Sequence, residues 1–404
     1  MEQRKGVLYM KSSNKRSIIN ILLILVLIVS VVFTFSACGG SQEETPAPAE
    51  EPAADTPEPA PEPAPEPQPE PEPEPDPIIN VLTGERGAKE DVLKTRIIGI
   101  VVENHPAARP QWGMDDKKYS PDIILEGEVE GGITRMLWLY ADYNKLPDII
   151  GPIRSARPPF IKFSELYNAI FVHWGQSHTE QGYIGADHVF REDNVPHLNG
   201  MGYERKAPFD RMQGTGRAQE HTGIIHGEQL GKELESKFRT TIKMKKTTQL
   251  KFYEEKKARG KKNSCYDLTL KFSNIGGTTH WRYDKEKKKY YSDSFNNNVA
   301  RDNLLVLFDE TNYITKPGYT TYCNYALEGG KAYYASCGSY QKIRWRVKNG
   351  KLQLYKKVKV KNDDGTETTK TKVIKLNPGK TWIGWASKNY NGKCTIKSKS
   401  DLSN

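Results

Sequence analysis

A long proline-rich stretch most constrains how this chain can fold. Residues 43–77 consist almost entirely of Pro, Glu and Ala. Such a segment has too few apolar side chains to bury a core, so it stays extended. At about 3.1 Å per residue, a Pro-rich chain from 39 to 77 spans on the order of 120 Å. We therefore predict that 38–77 is a disordered tether that spaces the folded part from the membrane. The alternative is a disordered tail with no spacing role, which would have the same composition.

Residues 1–37 have the pattern of a secretory leader. Basic residues such as Arg4 and Lys5 precede an apolar run over 18–35, and Ser36 and Ala37 precede Cys38. A basic head, an apolar stretch and small residues at the cut are typical of a signal peptide. We therefore predict a lipoprotein lipidated at Cys38 and anchored on the extracytoplasmic face of the cell membrane. The alternative, a transmembrane anchor, also places the remainder outside.

Charge is distributed unevenly along the chain. Residues 39–77 carry twelve acidic and no basic side chains, whereas residues 241–404 carry 35 basic and 14 acidic ones, a net charge of +21. A field of that sign attracts anions. Outside the cytoplasm these are anionic wall polymers and lipid headgroups, and the compartment argues against nucleic acid. The alternative is a lysine-rich surface that only confers solubility.

Four cysteines remain after Cys38, and all lie in the basic half: Cys265, Cys323, Cys337 and Cys394. An even number of cysteines in an exported domain predicts two disulfides, with three connectivities left open. No pair has C-x-x-C spacing, so we expect no zinc site. Nothing in the sequence calls for a cofactor.

The folded part is predicted to be α+β, with a mixed α/β domain over 78–240 and a smaller strand-rich domain over 241–404. In the first, short apolar runs predict strands and residues recurring at helical spacing predict helices. The Gly131-Gly132 pair predicts a hairpin turn. The predicted strands are 97–102, 123–130, 133–143 and 169–174, and the predicted helices are 159–167 and 227–238.

In the second domain, β-branched and aromatic residues between Gly, Asn and Asp breaks predict strands over 265–272, 289–292, 303–308 and 351–360. Its tryptophans are expected to pack in the core, because aromatic side chains serve there more often than as ligand-stacking platforms. These are Trp281, Trp345, Trp382 and Trp385.

Three glutamates alternate in the string from Glu126 to Arg135. On a strand, Glu126, Glu128 and Glu130 would share one face. Crowded carboxylates raise one another's pKa and can form an acid/base pair. The alternative, which we favour, is an exposed strand face with arginine partners nearby.

The segment from Gly151 to Pro159 is the second candidate. Arg154 and Arg157 flank Ser155 just before a predicted helix, and such an arrangement can hold a phosphate or carboxylate together with Arg135. The alternative is a buried arginine pair that satisfies Glu126 or Glu130.

His173 and His178 flank Ser177, which suggests a nucleophile or a proton shuttle. However, the string lacks the last glycine of the nucleophile elbow and the His-Glu-x-x-His pattern of zinc proteases. Structural histidines and the absence of a metal are therefore the expectation.

Several of these strings together resemble the YerB-type lipoprotein family. They include 102–106, 130–135, 151–157 and 173–175 in the first half and 281–284, 298–308 and 380–383 in the second. The resemblance covers about 80–385. It implies a bacterial, mainly Gram-positive, surface lipoprotein with two α+β domains, and it implies no activity.

The sequence favours a non-enzymatic module or scaffold that binds an anionic cell-wall polymer through Arg135, Arg154, Ser155 and Arg157, or binds an envelope protein. The alternative is a hydrolase or transferase acting on an envelope glycan or phosphodiester. Its candidate catalytic residues are Glu126, Glu128, Glu130, His173 and His178.

Overall fold

The computed structural model describes residues 79–87, 90–203, 205–241, 250–257, 263–295, 299–315 and 321–402. The chain divides into two units, 1–72 and 73–404, and only the second contains described residues. The predicted leader and tether, including Cys38, lie outside the described residues. Within them, no helix is both long and apolar enough to cross a bilayer.

The first half contains eight strands and four α-helices among its described residues. The strands are β1 (Ile98–Glu103), β2 (Ile123–Glu128), β3 (Thr134–Tyr140), β4 (Ile149–Ile150), β5 (Ile170–His173), β6 (His197–Asn199), β7 (Phe209–Arg211) and β8 (Gly223–His226). The helices are α1 (Glu90–Lys94), α2 (Pro158–Glu165), α3 (Ala186–Glu192) and α4 (Gly227–Lys237).

Among its described residues, the second half contains β-strands and one short 3₁₀ turn but no α-helix. The strands are β9 (Lys251–Phe252), β10 (Asp267–Lys271), β11 (Thr278–Asp284), β12 (Lys289–Tyr291), β13 (Ala300–Arg301), β14 (Asn303–Asp309), β15 (Thr311–Ile314), β16 (Tyr322–Tyr325), β17 (Gly329–Ser336), β18 (Ser339–Lys348), β19 (Lys351–Lys361), β20 (Glu367–Val373), β21 (Lys375–Leu376), β22 (Thr381–Ser387) and β23 (Lys393–Lys397).

Local sequence explains the elements of the first half. Gly131 and Gly132 have φ values of 57° and 77°, which glycine adopts without steric cost, and they join β2 to β3 as the predicted hairpin. Helix α2 begins with two prolines, whose φ is preset for a first turn. Helix α4 buries Leu230 and Leu234 on one face, as their spacing predicts.

One sheet of eleven strands contains strands from both sequence halves. Its order is β20-β19-β18-β17-β14-β22-β2-β3-β1-β5-β6. Strands β2 and β22 pair in parallel and join the halves, so the sheet continues across the predicted boundary at 240/241. The protein is more strand-rich than the α+β prediction implied, because no α-helix is present in the described part of the second half.

Core residues cover both faces of this sheet. On one face, Phe163 of α2 packs against Trp385, with ring centroids 5.5 Å apart. On the other, a five-stranded sheet (β13-β12-β11-β10-β23) lies over the large sheet, and Trp281 meets Trp382 at 5.5 Å. All four predicted tryptophans have at most 1% of their surface exposed, so their prediction as core residues is confirmed.

Candidate functional site

The arginine segment crosses the end of a parallel group of strands. Strands β1, β5 and β6 run in parallel, so their carboxyl ends meet at one edge, where ligands of open sheets commonly bind. The backbone N–H of Arg154 donates to the carbonyl of Val101, two residues before the end of β1, and the Arg154 carbonyl accepts from the N–H of Trp174, just after β5. The structure thus places Arg154, Ser155 and Arg157 at this edge.

Two carboxylates form ion pairs with the three arginines predicted to bind a ligand. Arg154 lies 2.8 Å from Glu103, whose other oxygen is 3.0 Å from Nδ1 of His221. Arg157 forms an ion pair with Glu130, and Arg135 approaches the same carboxylate at 3.6 Å. Three arginines therefore share two glutamates, an excess of one positive charge.

Burial and neighbouring charges fix the ionisation of this cluster. Burial, followed by the charge of Arg157, lowers the pKa of Arg135 to about 9. Burial acts to raise the pKa of Glu130, but Arg135 and Arg157 outweigh it, and the pKa lies below its usual value. Arg135 also donates to the carbonyl of Ser155 at 2.8 Å, and the Ser155 hydroxyl donates to the carbonyl of Trp174. The cluster is largely self-satisfied, in keeping with the alternative in which Glu130 pairs with an arginine.

Glu126 and Glu128 lie between the two sheets with no exposed surface. Oε1 of Glu126 accepts from Asn104, Thr134 and Thr279, each at 2.8 Å, and Oε2 accepts from Trp382 at 3.0 Å. Burial raises its pKa. An exposed strand face is therefore the wrong description of these residues.

Glu128 is similarly enclosed by the second half of the chain. Its oxygens accept from Ser273 at 2.8 Å and Tyr313 at 2.7 Å, and burial raises its pKa. The shared face was also wrong for Glu130. Glu130 contacts Arg135, whereas Glu126 contacts Thr134. Because Thr134 and Arg135 are neighbours on β3, their side chains lie on opposite faces, and so do the two glutamates that they contact.

The two candidate histidines lie apart in different surroundings. His173 is fully buried, with Nδ1 2.6 Å from the carbonyl of Gly175 and Nε2 2.9 Å from His197, and burial lowers its pKa to about 3. It is the structural histidine that the sequence favoured. His178 is 71% exposed and lies 3.7 Å from Asp187. Ser177 donates no proton to either; it accepts from Tyr183 and from the Ala186 N–H.

The structure places Cys265, Cys323, Cys337 and Cys394 as free thiols, which contradicts the predicted pair of disulfides. Cys265 and Cys323 are buried, and burial raises the pKa of the Cys265 thiol to about 12. Buried cysteines behave as small apolar side chains, so core packing accounts for them without a cross-link. Among the described residues, no three His, Cys, Asp or Glu side chains converge in a way that could hold a metal ion.

An extended surface of positive charge, not singled out in the sequence, covers one face of β17–β19. Lys331, Arg344 and Tyr355 lie opposite one another on these three strands, so their side chains share a face. Every second residue along each strand lies on that same face. We call this the basic face. It contains nine basic side chains: Lys331, Lys342, Arg344, Arg346, Lys348, Lys351, Lys357, Lys359 and Lys361.

The basic face is open to solvent and almost free of acids. Eight of its nine basic side chains are exposed, and Arg346 lies 4.8 Å from the centre of the Tyr355 ring. On this face of β17–β20, Glu367 is the single acidic residue and pairs with Lys359 at 2.8 Å. The opposite face carries Trp345 and Leu354 into the core. In the sequence, the strict alternation of basic and apolar residues in β18 could have revealed the basic face.

Comparisons with known proteins match both halves of the chain. Residues 82–243 match the model described as "Protein of unknown function (DUF3048) N-terminal domain", and residues 268–383 match its C-terminal counterpart. The chain belongs to the YerB-type lipoprotein family. The predicted resemblance is therefore confirmed.

A relative and a solved structure extend the YerB-type match. The protein named "Putative lipoprotein YerB" from Bacillus subtilis (strain 168) is 27% identical over 319 residues, which are 75% of this chain and 84% of that protein. The crystal structure of the YerB protein from Bacillus subtilis matches with a TM-score of 0.61 at 25% identity. It covers 79% of this chain and 99% of that one. The arginine cluster lies in the first YerB-type region and the basic face in the second.

Proposed function

We propose that this protein is a membrane-anchored extracytoplasmic module that binds an anionic cell-envelope polymer without altering it chemically. The anchor would be lipid on Cys38, followed by the tether over 38–77. The basic face carries the proposal, because it presents nine basic side chains on three adjacent strands. The name of the YerB relative supports the anchor.

The dimensions of the basic face suit a linear ligand. Strand β19 has eleven residues, so at about 3.3 Å per residue it extends roughly 36 Å, and three strands spaced about 4.8 Å apart give the face its width. Like charges concentrated on one surface create a potential that attracts polyanions and accelerates their encounter. A polymer with regularly spaced negative groups would contact several lysines at once.

Lysines at a sheet edge also have a purely structural use, since they prevent edge-to-edge pairing of strands. That role fits β20, whose seven residues are all exposed. It does not account for the basic face, because β17 and β18 are interior strands of the sheet. The interior position therefore favours binding over protection of the edge.

The geometry supports catalysis less well. Glu126 and Glu128 have no exposed surface, and His173 is buried with a pKa lowered to about 3. Glu130 is ionised in contact with two arginines, which is unfavourable for a general acid. Among the three arginines predicted to bind a ligand, Arg154 has the most exposed side chain, at 28%. It is therefore the arginine of the cluster best placed to contact the polymer.

The test is binding of the full chain, solubilised in detergent, to isolated cell walls with and without their anionic polymers. The variant carries Lys357→Gln, Lys359→Gln, Lys348→Gln and Lys342→Gln. We expect polymer-dependent binding that weakens with salt and falls at least tenfold in this variant. A matched variant with Lys285→Gln, Lys288→Gln, Lys393→Gln and Lys397→Gln loses the same charge from exposed positions elsewhere and should bind nearly normally.

Equal losses in the two quadruple variants would mean that only net charge acts, and the basic face would not be a site. Binding that persists on walls stripped of polymer would point instead to an envelope protein as the partner. Arg154→Ala tests the arginine cluster separately, and an effect confined to it would move the site to the first half.

A further inference from the structure

A polar cleft lies at the edge of the large sheet opposite the arginine segment. Strands β2, β14 and β22 are parallel, so their amino ends converge. Asp122 precedes β2, Arg301 precedes β14 and Lys380 precedes β22. A cleft of about 250 Å³ opens there, and Lys118, Ser120, Asp122, Tyr140, Lys145 and Lys380 are among the residues that line it. Both sequence halves contribute to it.

Two buried side chains lack hydrogen-bond partners among the described residues: Tyr140, which lines the cleft, and Arg301, whose charge acts on Tyr140 and Lys380. Tyr140, a residue with 2% of its surface exposed, lines the cleft, and its buried hydroxyl is unpartnered. Arg301 is 1% exposed, and its Nε and Nη2 are also unpartnered, while Nη1 donates to the carbonyl of Ala300. Burying polar groups without partners is costly, and native proteins do so rarely. These groups are all able to donate, so the ligand that would satisfy them is an acceptor.

Charge at the cleft favours an anionic acceptor. Arg86, Lys118, Lys145 and Lys380 line it, against Glu85, Asp122 and Asp142. Lys380 donates to the carbonyl and hydroxyl of Ser120 at 2.6 and 2.7 Å, so its ammonium has one N–H left. Burial, and then the charge of Arg301, lower the pKa of Lys380. An anion in the cleft would balance these cations.

The two carboxylates closest to the floor are already engaged. Asp122 accepts from Asn80 at 3.3 Å and from the Ala141 N–H at 2.9 Å, and burial raises its pKa. Asp142 lies 3.4 Å from Lys145 at the rim. Neither carboxylate accepts a hydrogen bond from the Tyr140 hydroxyl, which has no partner among the described residues.

We propose that this cleft binds a single phosphate group, through the Tyr140 hydroxyl and the Lys380 ammonium, with Arg301 supplying positive charge behind the floor. Phosphate offers several strong acceptor oxygens, which suits a site with several converging donors. The cleft is smaller than the roughly 300–1,000 Å³ typical of pockets for drug-sized ligands, so the bound group is small. It is free phosphate or a phosphate on a short polyol. The site is independent of the basic face.

The experiment is calorimetric titration of the detergent-solubilised full chain with inorganic phosphate, glycerol 3-phosphate and acetate. We expect saturable binding of the phosphate probes and a dissociation constant about tenfold higher in Tyr140→Phe, equivalent to about 1.4 kcal/mol. Tyr167→Phe is the matched control, because Tyr167 is a second buried tyrosine with an unpartnered hydroxyl, located in the other core layer. Its affinity should be unchanged.

Loss of affinity in Lys380→Met, with folding checked by urea unfolding, would add support. A preference for glycerol 3-phosphate would identify a polymer or lipid headgroup as the source, and equal affinities would identify free phosphate; both support the site. The proposal is overturned if acetate binds as tightly as phosphate, if Tyr140→Phe binds normally, or if no probe binds saturably. The quadruple lysine variant of the basic face should bind phosphate normally, so the two sites can fail separately.

Discussion

The roles of the buried carboxylates were the hardest to predict from the sequence. Glu126 accepts hydrogen bonds from Thr279 and Trp382, which are more than 150 positions away along the chain. A local pattern reveals three alternating glutamates but not the distant donors that enclose two of them. The arginine cluster was predictable in part, because its members lie close in sequence, whereas its partner Glu103 was not identified.

Asp309, at the end of β14, provides a test at this scale. It accepts from the backbone N–H groups of Leu327 and Glu310 and from the Trp385 indole, and burial raises its pKa to about 6. An unfolded aspartate ionises near pH 4, so between about pH 4 and about pH 6 the folded state retains a proton that the unfolded state has released. The stability contributed by this group therefore falls as pH rises through that window.

We expect the difference in unfolding free energy between the wild type and Asp309→Asn to decrease by up to about 3 kcal/mol from pH 4 to pH 6, and to level off above. Urea unfolding at a series of pH values measures it. Asp363→Asn, at an exposed position, serves as the control and should show little change. Parallel curves for wild type and Asp309→Asn would contradict the assignment.

Among the elements, sequence predicted the interior strands well and the basic face poorly. Strands β1, β3 and β14 were predicted, and in the structure every residue of all three is buried. Strand β18 was not named, although its alternation of basic and apolar residues has the period of a half-exposed strand. Net charge indicated a basic half but could not indicate which face carries the charge.

Close packing of β22 against β10 provides a test at the scale of elements. A Cβ added at Gly384 would lie 2.3 Å from Leu270 and 2.4 Å from the Trp382 ring, both in the core. We expect Gly384→Val to destabilise the protein by about 1–3 kcal/mol through overpacking, measured by urea unfolding.

Gly277→Ala is the control for this substitution, because the nearest atom to its added Cβ is 3.9 Å away. Equal stability of Gly384→Val and wild type would show that the two sheets separate more easily than the contacts indicate.

At the scale of the whole molecule, the two matched regions share one sheet. The second half contributes six of its eleven strands. The sequence could not predict this, since the β2–β22 pairing joins residues about 260 positions apart. The predicted domain boundary at 240/241 agrees with the change in composition and with the two family regions. It does not separate two folding units, because sheet hydrogen bonds join the halves and each hydrophobic core contains residues from both.

We therefore expect residues 73–404 of the full chain to unfold in one cooperative transition, detected alike by tryptophan fluorescence and circular dichroism. A fragment spanning 79–241 should show no cooperative transition, because β2 loses β22 and Glu126 loses two of its donors. Independent folding of that fragment, or two separate transitions in the full chain, would contradict this expectation.

The regular spacing of the basic face has a consequence for how long a polymer stays bound. Side chains on one face of a strand repeat every two residues, at about 6.6 Å, and the repeat is the same along much of β18 and β19. A polymer displaced by one such repeat meets nearly the same array of lysine and arginine side chains. Bound chains can therefore shift register without full dissociation, so retention on the surface can outlast any individual contact.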